Sequence, residues 1–278
     1  METSALSLPD RAFELGDSLF ETCRLVSGTI LFAQLHWQRL AQGCAVLGLP
    51  DCTSPLQEQL RNVIAILRER EIDEAVLRVT VSRGEAQRGY LSPASVTPRI
   101  VLYATLPSLP FYHQLPPARV GLASMRMGVQ SALAGIKHGS RLEQVLAANE
   151  RRVDNSDKPL WDDMLLCDYN GRPHSLGSAN LFAVIDGEIV TPPIVDCGIA
   201  GTRRQLLLDR LAPGRGIAVH EEFITMTELT AAQEVFCANS VQGFRPVGQL
   251  HDGHWQAHPV CTALHEAYVA AAREEVAA

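Results

Sequence analysis

The chain has 278 residues, a formal net charge of −7 and 46% hydrophobic residues, enough for two modest domains or one large one. An acidic balance without a basic stripe argues against nucleic acid as a partner, and no apolar run approaches the ~20 residues that cross a bilayer. Seven cysteines, scattered singly without a Cys-x-x-Cys pair, predict buried free thiols and a reducing, cytoplasmic location. Residues 1–10 lack the basic start and apolar core of a secretory signal.

The first hundred residues predict two helices on a small sheet. The predicted elements are a hairpin of strands 18–26 and 29–32, helices from 36 to 49 and from 53 onward, and strands 75–82 and 100–105. Thr53 or Ser54 is the expected cap of the second helix. We therefore predict a small N-terminal α/β domain over residues 1–106, followed by a proline-rich linker over 107–117.

The remaining residues, 118–278, predict a larger second domain. Its expected elements are strands 119–125, 164–167, 179–185, 188–191 and 234–237, and helices after Gly139, over 202–211 and over 262–275. Asn170-Gly171 and Asp186-Gly187 are hairpin-turn dipeptides. Strands joined mainly by hairpins and mixed with helices predict an α+β fold with largely antiparallel sheets.

Lys137 is the first candidate for chemistry. Ser140 followed by Glu143 is a capping-box pattern, which predicts a helix that starts just after Gly139 and leaves the lysine before it. The expected buried face of that helix is Leu142, Val145 and Leu146. A lysine close to the positive end of a helix and to a buried interior loses its proton more easily, and a neutral amine attacks carbonyl groups. Taken alone, the pattern is more typical of an exposed lysine that flanks a helix.

Three further places predict an anion site. Gly201-Thr202 lies where a helix starts, Ser240-Val241 follows a buried strand, and Arg39 offers a planar guanidinium. Each alone reads as ordinary capping or a surface arginine. Together with Lys137 they describe what pyridoxal phosphate (PLP) needs, an amine for its aldehyde and a cup for its phosphate.

Several motifs, in the same order over nearly the whole chain, resemble the fold-type IV PLP enzymes. This family contains branched-chain aminotransferases, D-amino acid aminotransferases and 4-amino-4-deoxychorismate lyase. The matching stretches are Gly16-Asp17-Ser18-Leu19-Phe20-Glu21-Thr22, His36-Trp37-Gln38-Arg39-Leu40, Gly135-Ile136-Lys137-His138, Ala179-Asn180-Leu181-Phe182, Gly201-Thr202-Arg203-Arg204 and Glu234-Val235-Phe236 through Asn239-Ser240. The amino-acid sequences of residues 137–146 and 82–90 resemble the lyase branch of the family most.

The resemblance implies a two-domain fold, a mostly antiparallel barrel-like sheet in the larger domain, PLP as cofactor, and a homodimer with its active site between the domains. It implies that Lys137 holds PLP and shuttles the substrate proton, assisted by Thr22. The positions it assigns to cofactor binding are Arg39, Ser175, Asn180, Gly201, Thr202, Ser240 and Val241.

Ser175 is a departure from the family pattern. Five residues before Asn180 the family places a glutamate that keeps the pyridine nitrogen of PLP protonated, and this chain has Ser175, preceded by His174. A serine donates or accepts a hydrogen bond but does not stabilise that charge. The loss weakens transamination more than an elimination that ends in an aromatic ring. Leu15, where aminotransferases of this family carry an aromatic residue, points the same way.

The leading hypothesis is a PLP-dependent lyase that converts 4-amino-4-deoxychorismate to 4-aminobenzoate and pyruvate in folate synthesis, with the polar loop residues Arg83, Arg88 and Tyr90 as candidates for binding the dianionic substrate. A solvated loop tip explains those three residues equally well. The alternatives are a branched-chain or D-amino acid aminotransferase, and a homologue without PLP chemistry that acts as a binding protein. No metal is expected, because His251, His254 and His258 lack a carboxylate or cysteine to complete a set.

Overall fold

The structure is a computed structural model that describes residues 7–152 and 160–277. The expectation about a signal sequence in residues 1–10 therefore falls largely outside the described residues. The chain divides into two compact units, unit 1 with Met1–Pro107 and Ile136–Arg141, and unit 2 with Ser108–Gly135 and Leu142–Ala278. Within the described ranges, every helix is too short or too polar to cross a membrane.

The loop that carries Lys137 belongs to a different unit from the one that the predicted domain division gives it. Residues 118–278 were expected to form one domain, yet Ile136–Arg141 groups with unit 1. The reason is backbone pairing, because Leu19 and His138 form an antiparallel bridge. The first boundary, after Pro107, lies at the start of the predicted 107–117 linker.

Unit 1 is built on a four-stranded antiparallel sheet in the order β2-β1-β3-β4. Its strands are β1 (Ser18–Val26), β2 (Thr29–Ile30), β3 (Glu74–Ser82) and β4 (Arg99–Thr105), and its helices are α1 (Arg11–Leu15), α2 (Ala33–Leu47) and α3 (Thr53–Glu69). Strands β1 and β3 pair along their full length, from Ser18 opposite Ser82 to Val26 opposite Glu74. Helix α2 packs closely on β1, since a Cβ on Gly43 would lie 2.7 Å from Leu19.

The predicted hairpin turn and the predicted end of α2 are confirmed, whereas the predicted cap of α3 is wrong. Ser27 and Gly28 have φ of 48° and 80°, the backbone of a type I′ hairpin turn. Helix α2 ends at Gly48 with φ 62°, where the missing Cβ removes the strain of a left-handed residue. Helix α3 begins at Thr53, but Asp51 provides the cap, since its carboxylate accepts from the Thr53 N–H at 2.9 Å.

Unit 2 contains a nine-stranded sheet that closes on itself. Its strands are β5 (Ala118–Arg126), β6 (Asp163–Cys167), β7 (Pro173–Leu176), β8 (Asn180–Ile185), β9 (Glu188–Thr191), β10 (Val219–Glu221), β11 (Glu234–Asn239), β12 (Gly243–Leu250) and β13 (Gly253–His254). The order β8-β11-β12-β5-β6-β7 returns to β8, because β7 pairs with both β6 and β8. Closure removes the exposed edges of these six strands, and β9 and β10 extend the sheet from β8.

The predicted fold class is confirmed, including the mostly antiparallel sheet of the larger domain. Most neighbouring strands are antiparallel, but β5 runs parallel to both β6 and β12, and β10 runs parallel to β9. Four helices accompany the sheet: α4 (Leu142–Asn149), α5 (Thr202–Leu206), α6 (Met226–Ala231) and α7 (Pro259–Ala277). Helix α5 continues as a π-helical turn over Leu207–Leu211, so the helix predicted over 202–211 is present.

The core of unit 2 lies inside the closed sheet and under α6. Leu165, Leu181, Val235 and Val247 come from four different strands and are fully buried. They belong to one cluster that Trp255 also joins, with its indole N–H donating to the Ala232 carbonyl at 2.8 Å. Strand alternation places these side chains inward and holds the strand ends in place, where the candidate site residues lie.

The predicted buried face of the helix after Lys137 is wrong. Helix α4 starts at Leu142, and Leu142, Val145 and Leu146 are 76%, 51% and 56% exposed. Ala147 is the fully buried residue of this helix. The expected capping box does not form, because Glu143 instead accepts a hydrogen bond from the Gly128 N–H at 2.9 Å. The helix is amphipathic, but its larger apolar side chains point away from its own unit.

Candidate active site

The backbone of unit 1 fixes the position of Lys137. The Phe20 N–H donates to the Lys137 carbonyl at 2.8 Å, and the Gly139 N–H donates to the Ser18 carbonyl at 2.8 Å. A Cβ at Gly139 would lie 2.2 Å from the Ser18 hydroxyl oxygen, so this close approach requires glycine. The lysine is thus attached to β1 as a short antiparallel segment and does not sit on a free loop.

The amino group of Lys137 lies over an aromatic ring and among cations. Its Nζ is 4.4 Å from the centroid of the Phe20 ring. Burial lowers the pKa of the amine, the positive charge of Arg39 lowers it further, and Arg141 and Arg78 add to the effect; Glu21 opposes them, and the pKa is about 7. A large fraction of this amine is therefore neutral, and nucleophilic, near neutral pH.

A buried ion cluster lies beside this lysine in unit 1. Arg39 donates to the two carboxylate oxygens of Glu21 from Nε at 2.8 Å and from Nη2 at 2.5 Å, and His36 Nδ1 is 2.6 Å from Oε2. Burial alone raises the pKa of Glu21, but Arg39 and His36 outweigh it and lower the pKa to about 2. His36 and Arg39, three residues apart, present one helix face to β1.

The same cluster contains donors of the kind that bind metals. One ligand atom from each of Glu21, Cys23 and His36 lies within 4.8 Å of the other two. The Arg39 guanidinium already engages both oxygens of Glu21, and its charge repels a cation. The histidines considered as a metal set in the sequence do not pair across the strands, because His254 lies opposite Gln249 and His251 is in the turn with φ 48°.

Thr22 and Arg78 share the strand face of Phe20. Phe20 and Thr22 are two residues apart on β1, and Arg78 is directly opposite Thr22 on β3. The Arg78 guanidinium carbon lies 3.5 Å from the Phe20 ring centroid. Sequence reasoning missed Arg78, although its alternation with the buried Leu77 and Val79 was visible and marked a polar side chain on the other face of the sheet.

The three candidate substrate residues of the polar loop separate in the structure. Arg83 is 4% exposed and donates to Asp17 at 2.6 Å and to the Leu47 carbonyl at 2.5 Å, so the alternative of a solvated loop tip does not apply to it. Arg88 is exposed, and Tyr90 is 88% exposed. These two side chains remain available to a ligand.

In unit 2, the start of α5 carries the predicted anion-binding groups. The first helical hydrogen bond runs from the Gln205 N–H to the Gly201 carbonyl at 2.9 Å, so the three preceding N–H groups point out of the helix. Thr202 is 3% exposed, and its hydroxyl oxygen has no hydrogen-bond partner among the described residues. A Cβ at Gly201 would lie 1.8 Å from the Asn180 side-chain oxygen, and Asn180 in turn donates to the Ile199 carbonyl at 3.0 Å.

The turn after β11 differs in part from its predicted role. The Asn239 side-chain oxygen accepts from the N–H groups of Val241 at 3.0 Å and Gln242 at 2.8 Å. The backbone donor expected from Val241 is therefore engaged inside its own turn. Ser240 is half-buried, and its carbonyl accepts from Arg203 Nη2 at 3.3 Å.

Ser175 lies on the outer face of β7, because its neighbour Leu176 points into the core inside the closed sheet. It pairs with Leu166 on one side and Asn180 on the other, is 8% exposed, and its hydroxyl lies 3.8 Å from the Met127 sulfur. His174, next along the strand, faces the opposite side and packs against Gly198. Burial lowers the pKa of His174. In this register His174 does not replace Ser175.

Comparison with known proteins identifies the family to which this chain belongs. The family model described as amino-transferase class IV matches residues 18–250. The chain is 31% identical to an aminodeoxychorismate lyase of Vibrio harveyi over 87% of this chain and 86% of that protein. It is 26% identical to a D-alanine aminotransferase of Listeria monocytogenes over 96% of this chain and 91% of that protein.

A solved structure extends the comparison to the whole fold. The crystal structure of 4-amino-4-deoxychorismate lyase from Pseudomonas aeruginosa is 35% identical, with a TM-score of 0.85, covering 96% of this chain and 95% of that chain. The matched family range contains Thr22, Lys137, Ser175 and Thr202. The chain belongs to the amino-transferase class IV family, whose members use pyridoxal phosphate.

Proposed function

We propose that this chain is a lyase that converts 4-amino-4-deoxychorismate to 4-aminobenzoate and pyruvate with PLP. The observation that carries the proposal is Lys137, an amine with a pKa of about 7 fixed to β1 beside Phe20. Similarity to two proteins named as this lyase, at 31% and 35% identity, supports the choice within the family.

The residues present fit PLP. The buried, unpartnered Thr202 hydroxyl and the N–H groups at the start of α5 suit a phosphate, together with Ser240. Lys137 would hold the cofactor covalently, and Ser175 would face its ring nitrogen. When bound, PLP withdraws electrons from the carbon that carries the substrate amine. Arg39 keeps its place beside Lys137 through Glu21, so its contribution to the site includes the lowered pKa of the lysine.

Lys137 and Thr22 would move the proton. Neutral Lys137 removes the proton from the amine-bearing ring carbon of the substrate. The bond between the ring carbon and the enol oxygen then breaks, and the ring becomes aromatic. A proton returned by Lys137 or Thr22 to the methylene carbon of the departing enolpyruvate gives pyruvate. Thr22, on the Phe20 face of β1, offers a hydroxyl that donates or accepts.

Arginines of unit 1 would bind the carboxylates of the substrate. Arg78 shares the face of Phe20, and Arg88 and Tyr90 have exposed side chains. Guanidinium groups form paired hydrogen bonds with carboxylates, which suits a dianionic substrate. Arg83 is left out of this set, because its donors bind Asp17 and backbone carbonyls.

Amino exchange is the second candidate activity. The 26% identity to a D-alanine aminotransferase over 96% of the chain favours it. Ser175 opposes it, because a neutral hydroxyl beside the ring nitrogen does not stabilise the charge on which transamination depends. A homologue that binds without catalysis is the third candidate, also motivated by Ser175.

We further propose a homodimer in the cytoplasm. Helix α4 exposes Leu142, Val145 and Leu146, an apolar row that a second copy would cover. The seven cysteines are all buried free thiols, as in proteins of reducing compartments. Light scattering coupled to size-exclusion chromatography tests the dimer: a mass near 30.3 kDa would contradict it, and about twice that mass would support it.

The test of the proposed function uses the purified protein and Lys137→Ala. A visible absorption band that borohydride bleaches, and that the variant lacks, is expected if Lys137 holds PLP. Formation of 4-aminobenzoate from 4-amino-4-deoxychorismate would then support the lyase, and amino exchange with 2-oxoglutarate or pyruvate alone would support the aminotransferase. A protein that stays colourless with added PLP would leave the binding protein as the remaining candidate.

A further inference from the structure

The segment between β3 and β4 is a long connection with an exposed tip. It covers residues 83–98, and Tyr90 and Leu91 at the tip are 88% and 91% exposed. Its base is attached to the sheet, because Ser82 donates to Asp10 and Arg99 bonds Glu85 at 2.9 Å. A tip as exposed as this gains little from apolar burial, so polar contacts must define its conformation.

A buried arginine from the start of the chain reaches this tip. Arg11, on α1, is 4% exposed and donates from Nη1 to the Gly89 carbonyl at 2.9 Å and from Nη2 to the Tyr90 carbonyl at 3.1 Å. Its Nε donates to Asp17 at 2.8 Å. In the described ranges, Arg11 is the residue whose side chain holds the backbone of 88–91.

Asp17 orients this guanidinium and is itself held from the other side. Arg83 donates to Asp17 from Nε at 2.6 Å and from Nη2 at 3.1 Å, and its own backbone N–H donates to the Asp17 carbonyl at 3.2 Å. The Gly84 carbonyl accepts from the Arg11 backbone at 2.9 Å. Arg11, Asp17 and Arg83 thus form one buried network, called here the loop clamp, and a planar fork is needed to satisfy three acceptors at once.

We propose that Arg11 is a positioning residue, which fastens the tip of the 83–98 loop so that Arg88 and Tyr90 are presented in one fixed arrangement for the substrate carboxylates. The second half of this inference rests on the proposed function, whereas the clamp itself rests on unit 1 alone. Gly89 permits this arrangement, because it adopts φ 123°, a backbone conformation that residues with a Cβ disfavour.

Trypsin provides a test that is independent of activity. The exposed Arg88 makes the Arg88–Gly89 bond a tryptic site, and cleavage requires the tip to leave its clamped conformation. We expect Arg11→Lys to raise the rate of cleavage at this bond at least ~10-fold, because lysine keeps the charge next to Asp17 but lacks the fork that holds both carbonyls. Arg61→Met, an exposed arginine on α3, is the matched control and should leave the rate unchanged.

Mass spectrometry assigns the cut, and the buried Arg24 on β1 serves as an internal reference for unfolding of unit 1. Faster cleavage at both Arg88 and Arg24 would mean that unit 1 itself is unfolded, and would overturn a local clamp. Equal cleavage of the wild type and Arg11→Lys at Arg88 would also overturn it.

Kinetics separate the clamp from its role in substrate binding. With faster cleavage at Arg88, we expect the KM of Arg11→Lys to rise about tenfold while kcat stays within about twofold of the wild type. An unchanged KM would retain the clamp and overturn the presentation of Arg88 and Tyr90. A wild-type protein that forms no 4-aminobenzoate would overturn the proposed function and leave the proteolysis result unaffected.

Discussion

The candidate site residues of the two units differ in charge. In unit 1 they include buried, paired charges: Glu21 accepts from Arg39 and contacts His36, and Asp17 accepts from Arg11 and Arg83. Unit 2 also pairs a buried charge, Arg204 with Glu221, but its candidate site residues are neutral. The Thr202 hydroxyl has no partner among the described residues, and the Ser175 hydroxyl lies near a methionine sulfur. Buried charge pairs fix the protonation states of neighbouring groups in the absence of a ligand. A buried neutral donor without a protein partner is instead satisfied when an anion binds. Unit 1 is thus suited to proton transfer, and unit 2 to holding a phosphate.

The largest expected effect comes from breaking the charge cluster. Glu21→Gln should lower the free energy of unfolding by ~3–5 kcal/mol, because it leaves the buried Arg39 without its anion. Urea unfolding of the apo-protein measures the loss, with the exposed Glu58→Gln on α3 as control.

The folded-state pKa of Glu21 is about 2. Since that value lies below the unfolded one, the wild-type advantage is complete above pH ~4.5 and disappears as the pH falls towards 2. A loss under ~1 kcal/mol at pH 7 would contradict the cluster.

The neutral site of unit 2 is tested by Thr202→Val, which keeps the volume and removes the hydroxyl. PLP affinity should fall about 10- to 100-fold, the value of one hydrogen bond to a charged group. The apo-protein should lose no stability, because a buried hydroxyl without a partner is costly. Fluorescence titration with PLP and thermal unfolding give the two readouts, with the exposed Thr227→Val as control. Unchanged affinity would remove Thr202 from the phosphate site.

Ser175→Glu sharpens the distinction between the two candidate reactions. The variant supplies the acid that the family places at this position, so amino exchange should rise about tenfold while 4-aminobenzoate formation does not. Ser175→Ala is the control for the loss of the hydroxyl. If amino exchange in the two variants is the same, the charge at this position does not select the reaction.

The last prediction concerns the pH dependence of the apo-protein. The folded-state pKa of Lys137 is about 7, against 10.5 for an ordinary lysine, so the unfolded chain binds one more proton between these two pH values. Lys137→Met should therefore raise the Tm at pH 7, by about 2–4 °C for each kcal/mol gained. The gain should shrink as the pH approaches 10.5. Calorimetry at pH 7 and pH 10 measures it, and an equal gain at both values would contradict the lowered pKa.

The sequence by itself determined most of the local structure and the identity of the family. Ser27-Gly28 and Gly48 acted through their own backbone preferences, which need no partner, so the turn and the helix end follow from local rules. The spaced motifs around Lys137, Asn180 and Gly201 carried the family assignment because each motif is contiguous in the chain.

Only the tertiary structure decided what lies between distant segments. Leu142, Val145 and Leu146 had the periodicity of a buried face, but periodicity does not say which side of a helix its own unit covers, and these residues are exposed. Arg83 was predicted to bind the substrate or to lie on a solvated loop tip, yet Asp17, 66 positions away, holds it inside unit 1. The pKa of Lys137 likewise depends on Arg39, Glu21 and Arg78, which reach it through strand pairing and helix packing. Electrostatic effects depend on distance in space, and the order of residues along the chain does not encode it.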